Sequence, residues 1–186
     1  MKKELDYFTI EECYGGNQDW FTNLVMHMGG CAAATACDSC IYFGLQNEKM
    51  KPLYPFDIEC LTKEDYKAFS QIMKPYLKPR AGGVQKLSWF VEGLERYIQD
   101  VNEAKHTDIY IRMEEFCGDH TWQEAAIFIK EQLDQDIPVP YLLLRHQNGA
   151  YKDYIWHWFL LTGYEEKDGK MYIKTATYGE SDTFRT

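Results

Sequence analysis

An apolar run near the amino end constrains the fold of this chain more than any other feature. Residues 31–45, CAAATACDSCIYFGL, run almost without a polar side chain. The run is too long for a single strand and is rich in alanine, so it predicts a buried α-helix. Gly29 and Gly30 interrupt the structure that precedes it, since glycine is a poor helix former. Cys31 is therefore expected to be the first residue of this helix.

Two more helices are predicted in the first half of the chain. Thr62 followed by Asp65 resembles a capping box, and residues 63–73 carry apolar side chains at helical spacing up to Pro75. Apolar side chains at the same spacing predict an amphipathic helix over residues 84–101. The first half is thus expected to be helical.

The second half mixes strands with one helix. Residues 107–114 alternate polar and apolar side chains, as a strand does. The capping-box pair Thr121 and Glu124 opens a helix over residues 121–136. The remaining patterns predict three strands, at residues 137–146, 154–164 and 171–179. Helices first and antiparallel strands after them predict an α+β fold.

Length and composition are those of one folded domain. With 186 residues, 45% of them hydrophobic and 26% charged, the chain is long enough to bury a core of its own. We expect a single domain over residues 1–186, with a helical lobe at about 1–104 and a sheet lobe at about 105–186.

The net charge argues against two classes of partner. It is −9, without a cluster of basic residues, whereas nucleic acids and anionic membranes are bound through clustered Lys and Arg. The amino-terminal residues include several acidic side chains and no apolar stretch of the length that a signal peptide or a membrane span needs. We therefore expect a cytoplasmic protein that binds neither nucleic acid nor membrane.

The six cysteines match neither a metal pattern nor a disulfide framework. Without an export signal, reduced thiols are expected rather than disulfides. Cys37 and Cys40 form a C-x-x-C pair, but no second Cys or His pair follows it, so we expect no metal and no cofactor. Both are interpreted as small apolar core residues, and a metal or redox protein built on them is the weakest alternative.

Cys31 is the cysteine whose expected position suits a nucleophile. At the amino end of a helix, the helix dipole and unpaired N–H groups favour the thiolate, which is the reactive form. Gly30 leaves room for the backbone of a substrate beside the sulfur. The alternative is that Cys31 is one of the buried free cysteines that are common in protein cores.

Five histidines could serve this nucleophile, since a thiol needs an imidazole that takes and returns its proton. His27 lies too close along the chain to face back at the sulfur. His106 and His120 fall at predicted loops or helix entries, and His146 ends a strand. His157 stands between two tryptophans at the head of an apolar strand, which makes it the preferred base. The alternative is a core histidine with a structural role.

The segments around these residues resemble a known family. GGCAAATAC at the head of the helix, with NQDWF before it and HWFLLTGYEEKDGKMYIKT far behind it, resembles the papain-like cysteine peptidases, and most closely their bacterial double-glycine, bacteriocin-processing branch. The resemblance spans residues 14–179. It implies a papain-like fold and a peptide or small amide as substrate. It also implies that Cys31 is the nucleophile, His157 the general base and acid, and Gln18 an oxyanion donor beside the Cys31 backbone N–H.

Two positions depart from the pattern of that family. Gln18 lies thirteen residues before Cys31, farther than in the family, so the stretch FTNLVMHM is expected to be an inserted turn. Asn17 remains a rival oxyanion donor. Where the family has the Asn or Asp that orients the histidine, the resemblance places Thr175 of this chain. A threonine hydroxyl accepts the ring N–H but carries no charge to stabilise an imidazolium.

The expected hairpin register supports Thr175 as that third residue. Folding the hairpin about its turn pairs Leu160 with Thr175, to within about two residues. The same register puts His157 near Tyr178. Thr175 and Thr177 then share one face of their strand beside the imidazole, so both are options. If neither suffices, the remaining acceptors are Asp153 and Asn148.

These observations give two main hypotheses for the function. The first is a thiol hydrolase in which Cys31 attacks a peptide or amide carbonyl, with an acyltransferase on the same scaffold as its variant. The second, motivated by the missing Asn or Asp, is a papain-like binding module without turnover. The cleft of the hydrolase is expected to be lined by aromatic side chains: Trp20, Phe21, Trp156, Trp158 and Tyr178.

Overall fold

The computed structural model describes residues 1–79, 83–146 and 148–185. Within these ranges the five α-helices are α1 (Leu24–Gly29), α2 (Cys31–Gln46), α3 (Lys63–Met73), α4 (Leu87–Lys105) and α5 (Trp122–Asp134). The seven strands of the described chain are β1 (Lys2–Glu4), β2 (Thr9–Ile10), β3 (Cys13–Tyr14), β4 (Val139–Leu143), β5 (His157–Lys167), β6 (Lys170–Thr177) and β7 (Glu180–Arg185). The class is α+β, as predicted.

The apolar run forms the central helix α2, which begins at Cys31 as predicted. Most of its side chains are buried, including those on opposite sides of the helix. It packs against β5, against α3 and against the 3-10 turn Glu48–Leu53. Its many alanines and cysteines have small side chains, so neighbouring elements can approach its backbone closely.

All strand pairs of the main sheet are antiparallel. The order is β1-β5-β6-β7, and β4 also pairs with β5. Strand β5 binds β4 along residues 157–161 and β1 along residues 163–165, so these two short strands follow each other along one edge of β5. Strand β1 comes from the first residues of the chain. The boundary expected near residue 104 therefore does not separate the helices from the sheet.

The predicted strand over residues 107–114 is wrong. This segment forms no strand in the described chain. The amide of Asn102, near the end of α4, donates to the Ile109 carbonyl (2.8 Å) and accepts from the Ile109 N–H (2.9 Å). Those backbone groups are therefore paired with a side chain and are not available for a sheet ladder. Tyr110, which follows, is 77% exposed.

The helix starts follow their capping residues. Thr62 and Thr121 cap α3 and α5 with their side chains, and the second forms the full capping box. Helix α4 begins at Leu87, three residues later than expected. Val84 is buried before the helix, and its carbonyl accepts a hydrogen bond from the indole of Trp158 at 2.6 Å. Within the described ranges, no helix is both long enough and apolar enough to cross a lipid bilayer.

The strand pairing differs from the predicted register by one residue. Leu160 pairs with Ala176, and Leu161 pairs with Thr175. An irregularity between Leu161 and Gly163 shifts the register on the turn side of this point. Strand β7, which carries mostly polar side chains at the sheet edge, was not predicted because such a pattern has little apolar signal.

Candidate active site

One small cavity brings together residues from distant parts of the chain. The side chains that matter for its chemistry are Gln18, Cys31, Asp38, His157, Thr177 and Tyr178. The cavity measures about 10 Å³, which is room for one water-sized group. The cavity therefore admits no more than one small chemical group. Of the four residues predicted from the sequence, three line this cavity and Thr175 does not.

Cys31 lies at the amino end of α2, where Gly30 caps the helix without a side-chain hydrogen bond. A Cβ on Gly30 would lie 2.4 Å from the Met26 carbonyl oxygen, so the close approach of α1 requires glycine there. Burial raises the pKa of the thiol above its usual value, although the backbone N–H groups of Trp158, Ala32 and Cys31 act in the opposite direction. Desolvation thus raises the pKa of the Cys31 thiol by more than the helix terminus lowers it.

His157 is the first residue of β5 and is 6% exposed. Burial lowers the pKa of its imidazole to about 4, since the charged form is poorly solvated there. The ring Nε2 lies 2.7 Å from the Thr177 hydroxyl. Among the described contacts, no hydrogen bond joins the ring to the Cys31 sulfur. At neutral pH both the thiol and the imidazole are therefore uncharged in the resting site.

Thr177, and not Thr175, contacts the imidazole. Thr175 is fully buried, and its hydroxyl donates to the Asp182 carbonyl at 3.4 Å. Thr177 lies two residues farther along β6, at the strand end that reaches His157. Because side chains alternate along a strand, a shift of two residues keeps the face and changes the neighbour. The assignment of Thr175 from sequence is corrected to Thr177 on this geometry.

Tyr178 is a site residue that the sequence indicated only as an aromatic lining group. Its ring lies parallel to the His157 imidazole, with an interplanar angle of 2° and centroids 4.7 Å apart. Its hydroxyl lies 3.5 Å from the ring Nδ1. The imidazole is thus held between a hydroxyl at Nε2 and an aromatic face.

A tight turn places Tyr178 in this position. Tyr178 and Gly179 both have positive φ angles, 52° and 73°, as in the two-residue turns that join hairpin strands. Asp168 and Gly169 form the equivalent turn between β5 and β6 with φ angles of 52° and 68°, and Asp-Gly is a preferred pair there. A tyrosine at such a position is conformationally unfavourable, and the sequence signal for this turn is the glycine that directly follows it.

Gln18 is buried, with 6% of its surface exposed, in the short 3-10 turn Gln18–Trp20. Its Nε2 donates to the His27 carbonyl at 2.7 Å, and its Oε1 is buried without a partner among the described residues. Asn17 instead caps the turn, since its Oδ1 accepts the Asp19 N–H at 2.8 Å. The thirteen-residue separation from Cys31 accommodates α1, which supplies the carbonyl that orients Gln18.

Most of the other predicted site residues lie elsewhere. Trp158 and Tyr178 line the cavity, whereas Phe21 is buried in the core and stacks on Tyr66. Trp20 meets Tyr66 edge-on, and Trp156 is 51% exposed. The four histidines other than His157 do not line the cavity: His27, His106, His120 and His146. Neither do the alternative acceptors Asp153 and Asn148.

The remaining cysteines have no shared role at this site. All six thiols are unpaired. Cys37 and Cys40 are buried in α2, as expected of core residues, and burial raises the pKa of both. Among the described residues, no group of three or more Cys, His, Asp and Glu side chains is arranged to bind a metal ion.

Comparisons of the chain with protein families, with curated proteins and with solved structures found no match.

Proposed function

We propose that this protein has a papain-like fold and hydrolyses amide bonds through a Cys31 nucleophile. The observation that carries the proposal is that Cys31, at the start of α2, and His157, at the start of β5, line one cavity although 126 residues separate them. Gln18 lines the same cavity. A nucleophile, a base and a hydrogen-bonding amide in one enclosed site are the parts that acyl transfer needs.

The first half of the reaction forms a thioester. The Cys31 sulfur attacks the carbonyl carbon of the amide, and the thiol proton passes to the His157 imidazole. Nε2 lies 2.7 Å from the Thr177 hydroxyl, whereas Nδ1 has only the longer 3.5 Å contact with the Tyr178 hydroxyl. We therefore assign this proton to Nδ1, with the Nε2–H donating to Thr177. The imidazolium then gives the proton to the amide nitrogen, the C–N bond breaks, and the amine leaves.

The second half restores the enzyme. Water attacks the carbonyl carbon of the thioester while His157 takes a proton from that water. The C–S bond then breaks, the imidazolium returns its proton to the Cys31 sulfur, and a carboxylic acid leaves. The reaction consumes one water molecule for each amide bond and needs no further reactant.

The charge that develops on the carbonyl oxygen has donors nearby. Helix α2 has no side-chain cap, so the backbone N–H groups of Cys31 and Ala32 can reach this oxygen with the favourable end of the helix dipole behind them. Gln18 uses one N–H for the His27 carbonyl and has a second one to donate. These donors act on the transition state, in which the oxygen is negative.

A probe that resembles an acyl substrate tests the proposal. Cys60 and Cys117 are exposed and would react first, so both are changed to Ser in the background protein. A peptidyl chloromethyl ketone should alkylate Cys31, and His157→Ala should slow this reaction by about a hundredfold, the usual contribution of a general base. His146→Ala is the matched control and should leave the rate unchanged. Equal rates with and without His157 would refute the proposal.

A second candidate is a binding module without turnover. It is favoured by the neutral resting pair, because burial lowers the pKa of His157 to about 4 and raises that of Cys31. Thr177 and Tyr178 supply no negative charge to the imidazolium. If this function holds, peptides bind equally well to the wild-type protein and to Cys31→Ala, and the wild-type protein releases no amine from them.

A further inference from the structure

We propose that Asp38 is a positioning residue whose buried carboxylate holds residues 15–18, and with them Gln18, at the wall of the Cys31 cavity. Protonation of this carboxylate weakens its hydrogen bond with the Gly16 N–H. The effect on the reactivity of Cys31 rests on the hydrolase function proposed above, whereas the positioning of residues 15–18 by Asp38 does not.

Three donors converge on the Asp38 carboxylate. It is 5% exposed and accepts hydrogen bonds from the hydroxyls of Tyr7 (2.7 Å) and Tyr66 (2.8 Å). The Gly16 backbone N–H lies 3.2 and 3.3 Å from its two oxygens. None of these partners is a cation, so the charge of the carboxylate is stabilised by hydrogen bonds alone.

The paired glycines before Gln18 fit this carboxylate. Gly15 has a φ angle of 74°, and a Cβ on it would lie 2.6 Å from Asp38 Oδ2. A Cβ on Gly16 would lie 1.8 Å from the ring of Tyr66. Neither position accepts a side chain without displacing its neighbours. The two glycines therefore let the backbone approach the Asp38 carboxylate. This contact explains the Gly15–Gly16 pair, which has no part in the proposed catalytic steps.

Asp38 connects three walls of the cavity. It lies seven residues after Cys31 on α2, about two turns along nearly the same face. The segment that it holds continues directly into Gln18. The Gly16 carbonyl also accepts the Gly179 N–H at 3.0 Å, which ties the turn carrying Tyr178 to the same segment. Loss of the hydrogen bond between Gly16 and Asp38 is therefore expected to displace both the Gln18 side-chain amide and the Tyr178 ring that stacks on His157.

This positioning of residues 15–18 depends on ionisation of the Asp38 carboxyl group. Burial raises the pKa of Asp38 to about 6, although its three donors act in the opposite direction. A protonated carboxyl has lost its charge and donates at one oxygen, so the hydrogen bonds that it accepts are weaker than those of the carboxylate and must rearrange. The titratable groups that face it are Tyr7 before β2, Tyr66 on α3 and Cys37 on its own helix, and burial raises the pKa of each. All three are neutral near pH 6.

Amide NMR tests, independently of catalysis, whether the Asp38 carboxylate positions residues 15–18. In the wild-type protein, the Gly16 backbone amide and the Gln18 side-chain amide should shift together with one midpoint near pH 6. Asp38→Asn should abolish this titration. Tyr7→Phe removes one donor to the carboxylate, so it should move the midpoint to higher pH, and it keeps the test available if Asp38→Asn folds poorly. Different midpoints, or a Gln18 amide that does not shift, would overturn the proposal.

Reactivity of Cys31 tests the consequence for the site. The ratio of wild-type to Asp38→Asn rates with the peptidyl chloromethyl ketone should be near one at pH 5 and rise at least threefold by pH 8, with a midpoint near 6. Ionisation of the thiol cancels in this ratio. Ser39→Ala, at a neighbouring buried position of α2, is the control and should give a flat ratio. A flat ratio for Asp38→Asn would refute the positioning role. An alkylation rate of Cys31 that does not depend on His157 would instead refute the hydrolase function. In that case the amide NMR titration still tests whether Asp38 positions residues 15–18.

Discussion

At the scale of single residues, burial governs the protonation of Cys31 and His157. It raises the pKa of the thiol and lowers that of the imidazole to about 4. Both shifts disfavour the charged forms, so they act together against a thiolate–imidazolium pair at rest. Under the proposed mechanism, the proton therefore moves only when the sulfur attacks, and His157 would act as a general base.

The pH dependence of alkylation follows from these two shifts. With Cys60 and Cys117 changed to Ser, the rate at which iodoacetamide alkylates Cys31 should keep rising through pH 9, because the thiolate is the reactive form and its pKa is raised. Peptide mapping by mass spectrometry gives this rate. A plateau reached below pH 8 would show an ion pair that is already formed and would contradict this assignment.

The corrected third residue gives a matched pair of variants. Thr177→Val removes the hydroxyl at 2.7 Å from the imidazole and should slow the reaction of Cys31 with a peptidyl electrophile about tenfold, the effect of one hydrogen bond. Thr175→Val makes the same change two residues away and should leave that rate within about twofold. If Thr175→Val has the larger effect, the assignment from the hydrogen bonds is wrong.

Asp38 links stability to pH with a defined sign. Its pKa is about 6 in the folded protein, above the ordinary value of 3.8, so its contribution is most favourable at low pH and is lost as the pH rises through 6. The free energy of unfolding of the wild-type protein, relative to Asp38→Asn, should fall by about 2 kcal/mol between pH 4 and pH 7. Urea unfolding at both pH values measures this, and a difference of the opposite sign would contradict it.

At the scale of elements, two turns with similar backbone φ angles have different surroundings. The Asp168–Gly169 turn closes one hairpin in open space, whereas the Tyr178–Gly179 turn is packed against the amino-terminal segment. The Gly179 carbonyl accepts the Tyr14 N–H at 2.8 Å, and the Gly179 N–H donates to Gly16. The second turn therefore fixes the aromatic ring on the imidazole as well as joining two strands.

These turns allow a comparison of two glycine substitutions. Gly169→Ala meets no atom within 4 Å and should cost about 1 kcal/mol of unfolding free energy, from its positive φ alone. Gly179→Ala has the same backbone strain and also places its Cβ 3.1 Å from the Cys13 Cβ. It should cost at least about 1 kcal/mol more. Equal losses in urea unfolding would contradict the packing described for this turn.

Element prediction succeeded where local interactions decide the structure. Helix α2 follows from a long alanine-rich run, and α3 and α5 follow from side-chain caps that lie three residues from their partners. Residues 107–114 have a strand pattern, but their outcome depends on Asn102 at the end of α4. Strand β1 depends on a partner more than 150 residues away. Neither contact has a local signal in the sequence.

At the scale of the whole molecule, the site is assembled from three distant parts of the chain. The amino-terminal segment brings Gln18, the central helix brings Cys31 and Asp38, and the late hairpins bring His157 and Tyr178. The resemblance inferred from the sequence predicted Cys31 and His157 as partners, and both side chains line one cavity. The choice between Thr175 and Thr177 could not be predicted, because both lie on the same strand face and only their position along the strand decides which one meets the imidazole.

The partners of Asp38 could not be predicted from the sequence. It is a charged residue within an apolar helix, and only the fold brings the hydroxyls of Tyr7 and Tyr66 to it. The glycine pair at Gly15 and Gly16 was visible in the sequence, but its partner was not. Such contacts depend on the tertiary arrangement of three separate segments, which periodicity does not report.

Trapping of an acyl-enzyme shows whether Cys31 forms a thioester with a substrate. The wild-type protein is mixed with an activated acyl substrate such as a peptidyl p-nitrophenyl ester, quenched in acid and mapped by mass spectrometry. We expect an acyl group on Cys31 that later disappears as the acid is released, and a loss of this adduct in both Cys31→Ser and His157→Ala. An acyl group found only on Cys60 or Cys117, or on Cys31 to the same extent without His157, would contradict it.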